Sequence, residues 1–286
     1  MRICAIVLNY RNAARTEACL CSLTGEGLDA VLVVDNSDDD HAAGELATVI
    51  KRQARQADYS LRQLNPGSNL GFARGVNLAL NDATALHCDA FLLINNDAVA
   101  LPGMLARLAA ALADTGTTMV APTVVDAAGK PQPMLWYHRF FGLLTARPLP
   151  GSFPYLSGCC LLVRREMLEE GRLFDEDFFM YGEDTLLGWR LACAGKMPLR
   201  LGDALVQHNG AGSSRRGQFF YEYHMARAHV LLALKTRRHP LEIPLLLVSK
   251  CVGLSLRALW RSLRFGNAIP LKAFFMAWLA LDIRVP

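Results

Sequence analysis

The sequence predicts an α/β fold: a mostly parallel central sheet with helices on both faces, followed by a basic helical extension. Three observations predict it. Apolar runs of strand length alternate with helical patterns through the first 200 residues, the order that builds a parallel sheet covered on both sides. Of 286 residues, 52% are hydrophobic and 20% charged. That composition suits a folded chain with a full core and excludes disordered, collagenous and coiled-coil classes. The charge is also split: residues 1–214 carry 18 Lys and Arg against 23 Asp and Glu, while residues 215–286 carry 12 against 3. Such a split marks the tail as a separate part with its own anionic partner. The expected division is a domain at 1–215 and an extension at 216–286.

The first strand, 3–8, is an apolar run that stops at Asn9, too brief for a signal peptide. Further strands are expected at 30–34, 60–64, 90–94 and 119–121, with helices at 13–23, 44–56, 73–84 and 102–114. In the last helix Met104, Leu105, Leu108 and Leu112 share one stripe, and Pro102 sits near its start. Residues 126–156 break the rhythm with Pro131, Pro133, Pro148, Pro150 and Pro154 and with Trp136, Tyr137, Phe140 and Phe141, which reads as a long functional loop. Then come a strand at 158–163, a helix near 166–170, a helix at 184–194 closed by Gly195, and a short strand ahead of His208. From Phe219 the pattern is helical. Over 244–265, Leu245, Val248, Val252, Leu256, Leu259 and Leu263 lie along one stripe. That stripe either faces a core or, with Lys250, Arg257, Trp260, Arg261 and Arg264 beside it, lies on an anionic membrane surface, and the basic charge favours the membrane. Because no run of about 18 uncharged apolar residues occurs, the chain is expected neither to be exported nor to cross a membrane. The eight cysteines show no repeated C-x-x-C spacing and read as buried thiols of a reducing, cytosolic compartment. No nucleic-acid-binding motif is present, and no nucleic-acid partner is expected.

In a parallel sheet, ligands bind at the carboxyl ends of strands. Three apolar runs end in polar residues there: Leu8-Asn9-Tyr10-Arg11, Val34-Asp35-Asn36-Ser37-Asp38 and Leu93-Ile94-Asn95-Asn96-Asp97. One strand-end acid is a common turn former. Two of them, with the Gly-rich stretch from Asn69 through Gly71 and Gly75 to Asn77 between, point to a nucleotide site. The absence of G-x-G-x-x-G or G-K-[ST] after the first strand excludes dinucleotide and P-loop chemistry. Glu183 and Asp184 stand where a helix begins, either as favourable charges at a helix N-terminus or as a carboxylate suited to general-base work on a hydroxyl.

Taken together in order and spacing, residues 6–11, 33–38, 69–77, 92–97, 158–166 and 174–190 make the chain similar to family 2 glycosyltransferases of GT-A fold, in the rhamnosyltransferase-like branch that builds bacterial surface polysaccharides. The resemblance covers residues 3–210. It implies that Leu8, Tyr10 and Asp35 meet a pyrimidine base, with the Asp35 carboxylate accepting the base N–H, and that the backbone at Asn69 and Gly71 closes over the nucleotide. Asn95-Asn96-Asp97 stands in place of the family's D-x-D motif. The resemblance assigns Asp97, with His208, to Mg²⁺ or Mn²⁺, and Asn95 and Asn96 to the neighbourhood of the ribose. Without the family, a lone His208 reads more often as a structural residue. Asp184 matches the general base, with Tyr181, Glu183 and Arg190 in acceptor binding or support, although Leu186 replaces an acid often found in the family. Arg215 and Arg216 face either donor phosphates or solvent.

The implied activity is inverting transfer of rhamnose or another hexose from a nucleoside diphosphate-sugar, dTDP- or UDP-linked, to a hydroxyl of a lipid-linked or cell-envelope saccharide. Residues 1–215 would be catalytic. The tail would hold the protein peripherally on an anionic membrane, at the cytoplasmic face of the inner membrane. Two alternatives stay open. One is a non-catalytic membrane-associated subunit of a polysaccharide assembly system, motivated by Asn95 and Leu186 standing where acids are expected. The other is a sugar nucleotidyltransferase, which shares the sheet architecture.

Overall fold

The computed structural model describes residues 1–114, 116–208 and 216–280. The strands β1 (Ile3–Asn9), β2 (Ala30–Asp35), β3 (Ser60–Leu64) and β4 (Ala90–Ile94) run parallel, in the order β3-β2-β1-β4. β1, β2 and β4 are continuous apolar runs because both faces of a parallel sheet are covered, leaving no side for an alternating polar residue. Between them lie α1 (Ala13–Leu23), α2 (Asp40–Gln53) and α3 (Gly71–Ala85). α2 starts four residues before the expected helix because Asp39 caps it, its side chain accepting from the Ala42 N–H at 2.9 Å.

Beyond β4 the chain adds β5 (Ala98–Ala100), α4 (Met104–Leu112) and β6 (Met119–Val125). The stretch expected as a loop instead holds a small antiparallel sheet of β7 (Leu135–His138), β8 (Leu144–Thr145) and β9 (Ser152–Tyr155), in the order β8-β7-β9. Its strands have two to four residues each, too short to register as periodic patterns. β10 (Cys160–Arg164) then enters the large sheet antiparallel to β4 and β6. The helix expected near 166–170 is a single 3-10 turn, Arg165–Met167. After α5 (Glu183–Cys193), β11 (Leu199–His208) pairs parallel to β6 and antiparallel to β5, completing an eight-stranded sheet. Three helices end the described chain: α6 (Phe219–Lys235), α7 (Ile243–Phe265) and α8 (Ile269–Leu279). The predicted α/β class with a mostly parallel sheet is what forms.

Two compact units result, and they do not follow one cut in the sequence. One comprises Met1–Pro133, Leu156–Glu176 and the stretch from Met197 through β11; the other comprises Met134–Tyr155, Asp177–Lys196 and the helical tail. The first unit is built on the large sheet, its core formed by β1, β2 and β4 side chains with Leu20 and Leu23 of α1 and Met104 and Leu108 of α4. In it Asn77 is 3% exposed and ties α3 to the chain after β10: its Nδ2 donates to the Phe174 carbonyl (2.8 Å) and Glu176 Oε1 (3.0 Å), and its Oδ1 accepts from the N–H groups of Leu173 and Phe174 (3.1 Å each). The second unit packs Tyr137, Phe153 and Tyr155 against Phe178, Trp189 and Leu231, and packs Val230, Leu254, Ala258 and Phe274 together along α6, α7 and α8.

α7 is oriented against its composition. Its buried residues are Leu246, Lys250, Leu254, Ala258 and Arg261, while the apolar stripe faces outward. Lys250 Nζ donates to Tyr137 Oη at 2.8 Å, and Arg261 Nε donates to Glu222 Oε2 at 2.8 Å. The stripe is not core-facing, since the buried charges find their partners inside the unit. Pro240–Phe265 is, by length and composition, long and apolar enough to cross a membrane; the sequence, read for an uncharged run, points to no such helix because Lys250, Arg257 and Arg261 interrupt it. Of the cysteines, Cys4, Cys19, Cys88, Cys159 and Cys160 are buried, Cys21, Cys193 and Cys251 are exposed, and all are free thiols.

Candidate active site

At the carboxyl ends of β1 and β2 the register sets Asn9 beside Asp35. Asp35 is fully buried, and its Oδ1 accepts from Asn9 Nδ2 (3.2 Å) and from the Ser37 N–H (3.0 Å). Its Oδ2 is buried with no hydrogen-bond partner. A buried acceptor without a partner costs about 1–3 kcal/mol, so this oxygen is suited to a ligand donor. The network continues: Thr16 Oγ1 donates to Asn9 Oδ1 (2.8 Å), Asn96 Nδ2 donates to Thr16 Oγ1 (3.1 Å), and Ser37 Oγ accepts from the Arg11 N–H (3.0 Å). Three strand ends and the start of α1 are thus joined by side chains.

Leu8 and Tyr10 flank this corner, both partly buried, and the Arg11 guanidinium lies 5.5 Å from the Tyr10 ring centre. Asn36 Nδ2 donates to the Gly71 carbonyl (2.9 Å), and Asn69 Oδ1 accepts from the Gly71 N–H (2.9 Å), which clips the Gly-rich loop to the end of β2. Gly75 packs closely here: a Cβ would lie 2.9 Å from Leu8 Cδ2 and 3.0 Å from Asn36 Nδ2, so those side chains would have to shift to admit one. The structure therefore brings Leu8, Tyr10, Asp35, Asn69, Gly71 and Asn96 to one corner of the first unit.

Asn95-Asn96-Asp97 forms the turn between β4 and β5, held by the Asn95 N–H on the Cys159 carbonyl (2.9 Å) and the Ala98 N–H on the Asn95 carbonyl (3.0 Å). Because Ala98 of β5 pairs with His208 of β11, His208 Nε2 comes to 2.9 Å from Asp97 Oδ1. Arg15 Nη1 lies 3.5 Å from Asp97 Oδ2. Burial acts to raise the Asp97 carboxyl, but the hydrogen bond and charge of His208 and the charge of Arg15 outweigh it and hold the group below the usual carboxylate range. Among the described residues no group of three or more His, Cys, Asp or Glu is placed to hold a metal ion. Asp97 and His208 nonetheless offer one carboxylate and one imidazole side by side. That donor set fits a divalent ion whose remaining positions are filled by substrate oxygens and water. Arg216 is exposed, and Arg215 lies outside the described residues.

In the second unit, Tyr181 and Gly182 both have left-handed backbone, φ 67° and 92°, directly before α5. For tyrosine this is an uncommon and strained conformation. At Gly182 a Cβ would come within 2.7 Å of the Phe178 ring and 3.1 Å of Ala228 Cβ, so only glycine lets α6 pack there. Asp184 Oδ1 accepts from the Thr185 N–H (2.6 Å) and Thr185 Oγ1 (3.2 Å). Glu183 is buried, its Oε2 without a hydrogen-bond partner, and burial together with the neighbouring Asp184 charge pushes it up to about 8. Tyr181 meets Tyr221 of α6 edge-on, with ring centres 5.5 Å apart, and Arg190 is exposed near the end of α5.

Arg15 and Thr16 were invisible to motif reasoning, although both sit one turn into the helix that follows the first strand, where a side chain can reach back over the strand ends.

The family model described as Glycosyl transferase family 2 matches residues 4–172, more than half of the chain. The chain is similar to the N-acetylglucosaminyl-diphospho-decaprenol L-rhamnosyltransferase of Mycobacterium tuberculosis (strain CDC 1551 / Oshkosh), at 28% identity over 244 residues, covering 74% of this chain and 77% of that protein. Among solved structures, S. aureus TarS 1–349 in complex with UDP shares the fold at a TM-score of 0.53 and 16% identity, over 86% of this chain and 70% of that one. GalNAc-T7 with UDP, GalNAc and Mn²⁺ does so at 0.60 and 12%, over 82% of this chain and 47% of that one.

Proposed function

Because the chain belongs to glycosyl transferase family 2 and is a glycosyltransferase of GT-A fold, we propose that it moves one sugar from a nucleoside diphosphate-sugar to a hydroxyl of a lipid-linked or cell-envelope saccharide, inverting the anomeric centre. The observation that carries this reading is the buried, unpartnered Oδ2 of Asp35 at the joined ends of β1 and β2. A uracil or thymine ring carries a single N–H between two carbonyls, and that donor would satisfy this oxygen. UDP- and dTDP-sugars are the donors proposed. Rhamnose is favoured by the name of the mycobacterial relative, whose decaprenol-linked acceptor also supports a lipid-linked one here.

In this reading Leu8 and Tyr10 flank the base, and the Asn69–Gly71 loop closes over the nucleotide. Asn95 and Asn96 lie toward the ribose. Asp184 takes the proton of the acceptor hydroxyl as its oxygen forms a bond to the anomeric carbon and the bond to the leaving diphosphate breaks on the opposite face. The role follows from the position of Asp184 in the motif. Thr185 orients the carboxylate through its two hydrogen bonds to Oδ1. Glu183, Tyr181 and Arg190 support the acceptor side. Mg²⁺ or Mn²⁺ held by Asp97 with His208 would offset the negative charge that builds on the leaving diphosphate. The extension at 216–286 associates with the membrane, placing the protein peripherally at the cytoplasmic face of the inner membrane.

The test is a titration of UDP, dTDP, GDP and CMP with and without Mn²⁺, followed by transfer assays on Asp184→Asn. The proposal expects Mn²⁺-dependent binding of UDP or dTDP, retained in the variant, with transfer abolished. Turnover like that of the wild type in Asp184→Asn would remove Asp184 from the mechanism, and failure of every nucleotide to bind would favour the non-catalytic subunit.

A further inference from the structure

Leu245, Val248, Val252, Leu256, Leu259 and Leu263 advance by three or four residues along α7, so they form one ridge about 27 Å long. Each is between 49% and 83% exposed. A surface helix ordinarily turns such a stripe inward. Here it is held outward, because the opposite face carries Lys250 and Arg261, bonded to Tyr137 of β7 and Glu222 of α6. Rolling the helix to cover the stripe would pull both cations from their partners. Six aligned aliphatic side chains in water differ from the scattered leucines of ordinary surfaces and mark an interaction face.

We infer that this ridge is the protein's seat on an anionic lipid surface, with α7 lying in the plane of the interface and its aliphatic side chains among the acyl chains. The inference rests on the membrane association proposed above and not on the transfer chemistry. Charge complementarity selects the occupant. Residues 216–280 carry 10 Lys and Arg against 2 Asp and Glu, and Arg238, Arg264 and Lys272 are exposed. An anionic bilayer brings the charge opposite to Arg264, which stands beside the ridge at Trp260, and to the exposed Arg238 and Lys272 of the same extension. Trp260, 56% exposed, stands at the edge of the ridge with the Arg264 guanidinium 5.2 Å from its ring centre, an amphipathic pair suited to the headgroup level. The helix lies flat and does not span, since a spanning α7 would carry Lys250 and Arg261, with the β7 and α6 residues that bind them, into hydrocarbon.

The experiment uses the full chain in co-sedimentation with phosphatidylcholine vesicles, with and without phosphatidylglycerol, and compares it with the Leu256→Glu/Leu263→Glu double variant. Binding is expected only where phosphatidylglycerol is present, and it should weaken more than about tenfold in the variant. The variant's thermal melt and nucleotide titration should match the wild type, since both side chains are exposed. Equal vesicle binding by variant and wild type would overturn the inference. So would a wild-type dimer that ignores vesicles and that the double variant dissociates, which would assign the ridge to a second copy. Loss of nucleotide binding in both proteins would sink the transfer reading and leave the vesicle result standing.

Discussion

Replacing Asp35 by Asn tests the nucleotide corner at a single atom. Oδ1 of Asp35 accepts from the Ser37 N–H and Asn9 Nδ2, so an amide at this position must keep its oxygen there, since the flipped amide would set donor against donor. The amide nitrogen then stands where the unpartnered Oδ2 now lies. For uracil or thymine this exchanges an acceptor for a donor facing the ring N–H. Loss of a hydrogen bond to a charged group is worth about 1.5–3 kcal/mol, which weakens UDP or dTDP binding by about 10- to 100-fold. Cytosine presents an acceptor at the same ring position, so CMP should bind the variant better than it binds the wild type. The fold should not suffer, because no hydrogen bond within the protein is lost and a buried charge is removed. Calorimetric titration of UDP, dTDP and CMP, paired with a thermal melt, reads all of this. UDP and dTDP affinities unchanged in a variant that melts like the wild type would refute the assignment of Oδ2 to the base.

The other predictions concern the scaffold. Asn77→Ala leaves the Leu173 and Phe174 N–H groups and the Phe174 carbonyl without their partner and should cost about 2–4 kcal/mol in urea unfolding; a cost under about 1 kcal/mol would mean that the clamp is dispensable. Gly188→Ala places a Cβ 2.5 Å from Tyr155 Cβ and 2.7 Å from the Pro154 carbonyl. Despite alanine's better helix propensity, it should lower the melting temperature, and a rise would contradict the close seating of α5 on β9. Lys250 is lowered by burial from its ordinary 10.5 to about 7, so the unfolded chain binds the extra proton between those values. Stability should therefore climb as pH rises from about 7 toward 10 and be lowest below 7. Lys250→Met keeps the stem, so it should be more stable than the wild type by about 1–4 kcal/mol below pH 7, with the difference shrinking as pH rises; a difference independent of pH would show that Lys250 does not titrate in this range.

Much of the first unit was legible because its signals are local. An uninterrupted apolar run reads as a strand covered on both faces, and the polar residue that ends it marks the edge where ligands bind, which is how Asn9, Asp35 and Asp97 stand out in the sequence alone. The small sheet of β7, β8 and β9 escaped because its strands hold two to four residues, shorter than any period can show. Other features were decided between distant parts of the chain. His208 meets Asp97 across 111 residues only because β11 pairs with β5. Thr16 joins Asn9 to Asn96 only because α1 passes over the strand ends. The clearest division is in α7. Its sequence determines that one face is aliphatic and that Lys250 and Arg261 lie off that face, but periodicity is silent on which face the fold covers. Glu222 decides that, with Tyr137 beside Lys250: a guanidinium can be buried where a carboxylate pairs with it, and once Arg261 and Lys250 turned inward the leucines had no direction left but out.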